Sequence, residues 1–357
     1  MSSTLVLPHE RKIRRLDVLF ATLSDEPHEL YDAEPPVSEA FDLGDGLWLG
    51  PLPAAIVDAV WEECVLPGRR FLGSTPFAHA FYRDPSERFP TQWDGDMNIE
   101  VAVALSRLVR GTGIDYEFAA QVRLDENDKV VEVIPAHMFP GVLEVFGIDG
   151  QARRWLSVAD GALLRDLISA YNGLGDGFPT TSRLSHAMWY FTQSPYIQDP
   201  NIRMTFLVAL LEGLFSTETL RANAQFRERL IAVSREVRGP TLDRRFADEV
   251  YKLRSTPAHG GRLVLHMPRY DNRETFEKDI NDKLIVLEEI ARLILRRALF
   301  DRDFRETLQD PVRVAARWPV ATQACPICQS TTYPDAVPVR CPHCQREWTN
   351  DGDQAVM

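Results

Sequence analysis

The stretch FEKDINDKLIVLEEIARLILRRAL, residues 276–299, decides how the second half of the chain folds. Phe276, Ile280, Leu284, Leu287, Ala291, Ile294 and Ala298 recur at spacings of three and four, which lines one side of a helix of about six turns with apolar side chains. Such a stripe needs partners to bury it, and the preceding residues supply them. Ser157 and Asp160 form a capping-box signature ahead of Leu163, Leu164, Leu167 and Ile168, and Asn172-Gly173 stops that helix. SRLSHAMWYFTQ, residues 182–193, is the next. Asp199-Pro200 gives the N-cap and first position of a third, with Ile202, Phe206, Ala209, Leu210 and Gly213 expected on one buried face. Ser216 is expected to cap a fourth helix running to Gly239-Pro240, and a fifth begins near Thr241. Helices in this succession, joined by short connections, predict a helical bundle over residues 156–318, ended by Trp318-Pro319.

The first 155 residues have a different texture. EAFDLGDGLWLGPL (39–52) reads as two strands around an Asp-Gly turn, and YEFAAQVRL (116–124) and VVEVIPA (130–136) bracket DENDK as a hairpin. AAIVDAVWEECV (54–65) and NIEVAVALSRLVR (98–110) are amphipathic helices. The expected fold class is therefore α+β, in four parts. These are a mixed domain over 1–155, the helical domain over 156–318, a small cysteine-bearing module over 319–350 and a polar tail over 351–357. A length of 357 residues accommodates two or three domains, and apolar and charged fractions of 45% and 26% are those of an ordinary soluble globular chain. The opening MSSTLVLPHERKIRRLDV lacks the apolar core of a signal peptide, and FLVALLEGLF (206–215) is too short for a bilayer span, so the expected location is cytoplasmic.

The net charge of −12 argues against uniform affinity for nucleic acid, but its distribution is uneven. Between Arg221 and Arg317 there are 21 Lys/Arg against 16 Asp/Glu, a basic segment in an acidic protein. Two readings stand: a surface for a phosphate-bearing partner, or a solvated face of mixed charges.

Four of the five cysteines lie close together, as Cys325-x2-Cys328 and Cys341-x2-Cys344. Two such pairs in one short segment supply the four thiolates of a closed tetrahedral zinc site, and a module this small has too little core to fold unaided. A small hairpin carrying both pairs is expected, as in zinc ribbons. His343 inside the second pair is an alternative ligand, and a pair of disulfides is the competing reading for a secreted chain.

The segment YKLRSTPAHGG, residues 251–261, holds the candidate chemistry. On an unbroken helix Arg254 and His259 would point about 140° apart. Pro257 is expected to break the helix, so that Arg254 sits in its last turn and His259 in the turn beyond, with Gly260 and Gly261 allowing a sharp exit. The plainer reading has Arg254 complementing the helix dipole and His259 capping loose carbonyls. His137 and His186 are expected to be packed and hydrogen-bonded, and His266 is close enough in sequence to reach the same region. GLGDGF (173–178) has no strand before it and no Gly-Lys-Ser/Thr after it, so it reads as a loop.

With YKLRSTPAHG placed between LVALLEGLF (207–215) and LEEIARLILRRAL (287–299), the chain resembles the HEPN superfamily, in particular its Apea-like branch, over roughly residues 157–305. The resemblance implies that Arg254 and His259 are the catalytic pair and that Glu212 is the acidic residue that steadies the arginine. It also implies an endoribonuclease that needs no metal for catalysis and uses the RNA 2′-hydroxyl as nucleophile. It implies a homodimer in which two motifs meet, and a prokaryotic defence or stress effector whose N-terminal domain senses a trigger. Histidine suits proton transfer near neutral pH, and a guanidinium suits the charge on a pentacovalent phosphate. The sequence departs from the family at Ser255, where active members often carry Asn, Asp or His after the motif arginine. That departure keeps open a non-catalytic HEPN dimer acting as a scaffold or RNA-binding protein.

Overall fold

A computed structural model describes residues 15–24, 39–44, 46–64, 77–83, 92–111, 118–125, 127, 129–138, 156–174, 182–197, 199–217, 222–258, 273–320, 323–324, 331–332, 339–340 and 347–348. The chain is an α+β protein. Its first half contains β1 (Arg15–Ser24), β2 (Phe41–Gly44), β3 (Leu47–Pro51), α1 (Ala54–Cys64), β4 (Phe77–Arg83), α2 (Gln92–Val109), β5 (Phe118–Leu124) and β6 (Val130–Met138). The strands form one antiparallel sheet in the order β2-β3-β4-β1-β5-β6. Both expected hairpins are present: β2 pairs with β3, where Gly44 and Gly46 take positive φ at the turn, and β5 pairs with β6. The two central strands, β1 and β4, were not expected from the sequence.

Alternation along β3 sends its side chains to two cores. Trp48 joins Ile56, Val57 and Val60 of α1 and Tyr82, Ala120 and Val122 of the sheet. Leu47 and Leu49 join the opposite side, with Ala102, Leu105 and Leu108 of α2. Tyr82 is buried with its hydroxyl unpartnered, and burial pushes the phenol far above its ordinary range.

The second half is helical: α3 (Val158–Asn172), α4 (Arg183–Gln193), α5 (Pro200–Phe215), α6 (Ala222–Glu236), α7 (Arg244–Ala258), α8 (Arg273–Phe300), α9 (Arg302–Gln309) and α10 (Pro311–Arg317), with a 3₁₀ turn at Ser194–Tyr196. The capping box at Ser157 and Asp160 forms as expected, and Gly173 is the C-cap of α3. Asp199 caps α5, and Ile280, Leu284, Leu287, Ala291, Ile294 and Ala298 of α8 are all buried. Helix α5 packs against α4, α6, α7 and α8. Among the described residues, no helix is long and apolar enough to cross a membrane.

Four expectations are corrected. The buried side of α5 is Arg203, Met204, Leu207, Val208, Leu210, Leu211, Leu214 and Phe215, whereas Ile202 is 48% exposed and Gly213 lies at the surface. A helix packed among several neighbours buries a broader arc than the narrow stripe read from the sequence, and the neighbours choose which arc. Ser216 is the C-cap of α5 and not an N-cap; α6 begins at Ala222. Pro257 does not end α7, which continues to Ala258, because a proline in the final turn removes one hydrogen bond of a helix already held by packing. His186 is exposed on α4.

The boundary expected at 155/156 separates two segments that share a core. Leu105 and Leu108 of α2 and Leu47 of β3 lie in the same hydrophobic cluster as Leu164, Leu211 and Leu287. At the junction α3 approaches β2 so closely that a Cβ on Gly161 would come within 3.1 Å of the Phe41 ring. The last carbonyls of α2 find donors on α8: Arg292 Nε donates to Arg107 O at 2.8 Å and Arg296 Nη1 to Val109 O at 3.3 Å. Arg110 pairs with the capping-box Asp160 at 2.7 Å.

Beyond Trp318, β7 (Gln323–Ala324) pairs with β8 (Thr331–Thr332), and β9 (Val339–Arg340) pairs with β10 (Glu347–Trp348). One hairpin was expected to carry both Cys-x2-Cys pairs. Instead each pair falls in the connection of its own two-stranded ladder, although Cys325, Cys328, Cys341, Cys344 and His343 themselves lie outside the described residues.

Within the core, Arg203 of α5 and Glu288 of α8 form an ion pair with side chains 8% and 5% exposed. Removing one partner strands the other charge. Arg203→Ala should therefore lower the unfolding free energy by about 3–5 kcal/mol, and Arg203→Met combined with Glu288→Leu should recover most of it, as read by denaturant titration. A double variant as unstable as the single one would show that the stranded carboxylate is not the source of the loss.

Candidate active site

The candidate site forms where the end of α5 meets α7. Glu212 lies in the last turn of α5, and the carbonyls around it are satisfied by two arginines from elsewhere in the bundle. Arg183 Nε donates to Gly213 O at 2.7 Å and its Nη2 to Ser216 O at 2.5 Å. Arg229 is buried; its Nη1 donates to Phe215 O and, at 2.8 Å, to Gln225 Oε1, while its Nε donates to Trp318 O at 3.0 Å. Burial, and then the nearby charge of Arg229, lowers the pKa of Arg183 from its ordinary value, partly offset by Asp310. The end of α5 is thus held rigidly, and Glu212 with it.

From α7, Arg254 Nη2 meets Glu212 Oε2 at 2.8 Å, with side chains 25% and 16% exposed. The pairing of Glu212 with Arg254 expected from the family resemblance is present in the geometry. Tyr251, one turn before Arg254, places its hydroxyl 3.3 Å from Glu212 Oε1. The Arg254 guanidinium lies 5.7 Å from the Tyr251 ring centroid, and the ring also contacts Phe226 of α6 at 5.5 Å between centroids. Arg227 of α6 pairs with Asp248 of α7. The Nε atoms of both Arg227 and Arg254 are buried without a hydrogen-bond partner. Burial raises the Tyr251 pKa above its ordinary value; the Glu212 charge raises it further, while Arg254 and Arg227 oppose the shift.

Tyr251 and Arg227 were not singled out from the sequence. Tyr251 carried a usable signal, since a residue three positions before Arg254 shares its helical face. Arg227 carried none, because its neighbour Asp248 belongs to another helix. His259 follows the last residue of α7 directly in sequence and, with His137 and His266, lies outside what the structure describes of side chains.

The basic segment between Arg221 and Arg317 divides between surface and core: Arg235, Arg238, Arg244, Arg245, Lys252, Lys278, Arg302 and Arg313 are exposed, with Arg245 and Arg302 paired to Glu249 and Glu306 as a solvated face of mixed charges would have them. Arg227, Arg229, Lys283 and Arg292 are buried, and Arg297, Arg305 and Arg317 are partly buried against Glu236, the Ala298 carbonyl and Asp303. These buried and half-buried cations tie helices together.

No protein-family model matches the chain, and neither a curated protein nor a solved structure matches it.

The Glu212–Arg254 pair is buried enough to be measurable. Glu212→Ala should cost about 1–3 kcal/mol of stability, since it leaves a largely buried guanidinium without its anion. Arg254→Ala combined with Glu212→Ala should cost less than the sum of the two single changes, as a double-mutant cycle on chemical denaturation would show. Additive losses would mean that the two side chains do not interact in solution.

Proposed function

We propose that this protein is an endoribonuclease of the HEPN type, Apea-like branch, that cleaves single-stranded RNA as a homodimer. The observation that carries the reading is the Glu212–Arg254 pair: a carboxylate in the last turn of α5 meets a guanidinium four residues before the end of α7, and His259 follows Ala258, the last residue of α7, in sequence. In the proposed reaction the RNA 2′-hydroxyl loses its proton to a base and attacks the adjacent phosphorus. The bond from phosphorus to the 5′-oxygen breaks, that oxygen takes up a proton, and a 2′,3′-cyclic phosphate remains. His259 supplies proton transfer, and Arg254 meets the charge that builds on the phosphoryl oxygens. Glu212 acts through Arg254, holding its fork in one orientation. Two copies of the pair at one dimer interface would provide an acid and a base for a single cut. The N-terminal domain then has the role of trigger sensor.

A second reading is a non-catalytic HEPN dimer serving as scaffold or RNA-binding protein. Ser255 beside the motif arginine favours it. One experiment separates the two. The purified full-length protein is expected to cut a single-stranded RNA with EDTA present, leaving cyclic phosphate ends, and His259→Ala is expected to abolish cutting while the helical circular dichroism stays unchanged. Equal cutting by wild type and His259→Ala would remove the ribonuclease reading.

We further infer that Cys325, Cys328, Cys341 and Cys344 hold one structural zinc ion. The donor chemistry fits, and each Cys-x2-Cys pair lies in the connection of a short ladder whose few backbone bonds would not hold it alone. Zinc there would supply folding energy to the ribbon. The helical domain ends independently of it: Trp318 is buried, and its indole N–H donates to Glu236 Oε2 at 2.8 Å. Elemental analysis should give one zinc per chain, and Cys341→Ser should release it and unfold only the residues after about 320, with the helical unfolding transition unmoved. Four freely titrating thiols in a zinc-free protein would overturn the assignment.

A further inference from the structure

The geometry points to Tyr251 as a positioning residue for Arg254: its hydroxyl and the Arg254 guanidinium each occupy one oxygen of Glu212, so that a single carboxylate, held from both sides, sets where the arginine points. The role in cleavage rests on the ribonuclease reading; the positioning itself rests on contacts alone.

Each partner does a separate job. The ion pair of 2.8 Å between Arg254 Nη2 and Glu212 Oε2 attracts the guanidinium but leaves the carboxylate able to rotate about its terminal bond. A hydrogen bond to the second oxygen, 3.3 Å from the Tyr251 hydroxyl, stops that rotation. Tyr251 is in turn held through its ring, which contacts Phe226 and has the Arg254 guanidinium 5.7 Å from its centroid. The arrangement therefore ties Arg254 to three helices: α5 through Glu212, α6 through Phe226, and its own α7. The charged groups around the phenol are Glu212 from α5, Arg227 from α6, itself paired with Asp248, and Arg254 from α7. Burial and the Glu212 charge favour the protonated phenol, which serves as a hydrogen-bond donor to Glu212.

Tyr251→Phe keeps the ring contacts and removes only the hydroxyl, which makes it the informative variant. On a single-stranded RNA oligonucleotide, full-length Tyr251→Phe should lose about three- to tenfold in kcat, the effect of one hydrogen bond, with KM within about twofold of wild type. Glu212→Gln should lose more, and the double variant should be no slower than Glu212→Gln, because Tyr251 acts through Glu212. Losses that multiply in the double variant would overturn the proposal, as would an unchanged kcat in Tyr251→Phe. A second readout needs no activity. The alkaline phenolate absorbance of wild type minus that of Tyr251→Phe isolates Tyr251, and its titration should lie above that of an ordinary tyrosine and move down part-way in Glu212→Gln. An ordinary titration, or one indifferent to Glu212→Gln, would also overturn the proposal. Should wild type cut no RNA, the ribonuclease reading falls and the titration alone decides whether Tyr251 holds Glu212.

Discussion

The C-terminal carbonyls of α5 have to find donors inside the protein, and the two guanidiniums of Arg183 and Arg229 meet that need. A buried helix end with open carbonyls would carry a desolvation cost for every unpaired group. Arginine suits the task because its planar fork can reach several acceptors at once. Arg229 spans from Phe215 to Trp318, so the same side chain closes α5 and anchors the point at which the helical domain ends. Glu212 lies inside this clamp, and the whole candidate site hangs from it: Arg254 and Tyr251 on α7 both take their positions from that carboxylate.

The same use of arginine recurs across the fold. Arg292 and Arg296 close the end of α2, Arg107 donates back to the Thr192 carbonyl and stacks on Tyr196, and Arg305 meets the carbonyls of Ala298 and Leu299 at the end of α8. At the ends of α2, α5 and α8, long cationic side chains from neighbouring helices reach the last carbonyls. One part of the basic segment is exposed beside acidic side chains, while another part is used in this way inside the fold. It also ties the sheet to the bundle, because the donors for α2 come from α8 and the apolar side of α2 lies in the bundle's own core. The Arg203–Glu288 pair in turn joins α8 to α5, the helix that carries Glu212.

The sequence by itself determined the features whose physics is local. A capping box needs two residues three apart, and Ser157 and Asp160 could be read without the rest of the chain. The same is true of the Asp199-Pro200 helix start, the apolar stripe of α8 and both hairpins, where turn chemistry and alternation lie within one continuous stretch of chain. At the candidate site, Glu212 and Arg254 were named from motif spacing in a family resemblance, and their contact spans two helices that pack together. Only the tertiary structure could decide what depends on distant partners. Strands β1 and β4 have no turn joining them to announce their pairing, so their central place in the sheet was invisible. The buried arc of α5 is chosen by the helices around it and not by its own periodicity, which in so apolar a helix is weak. Pro257 is carried in a helix because packing outweighs one lost backbone bond. Tyr251 joins the site because α7 lies against α5 at a particular rotation, and a rotation between helices is a property of the packed bundle, written in no single stretch of the chain.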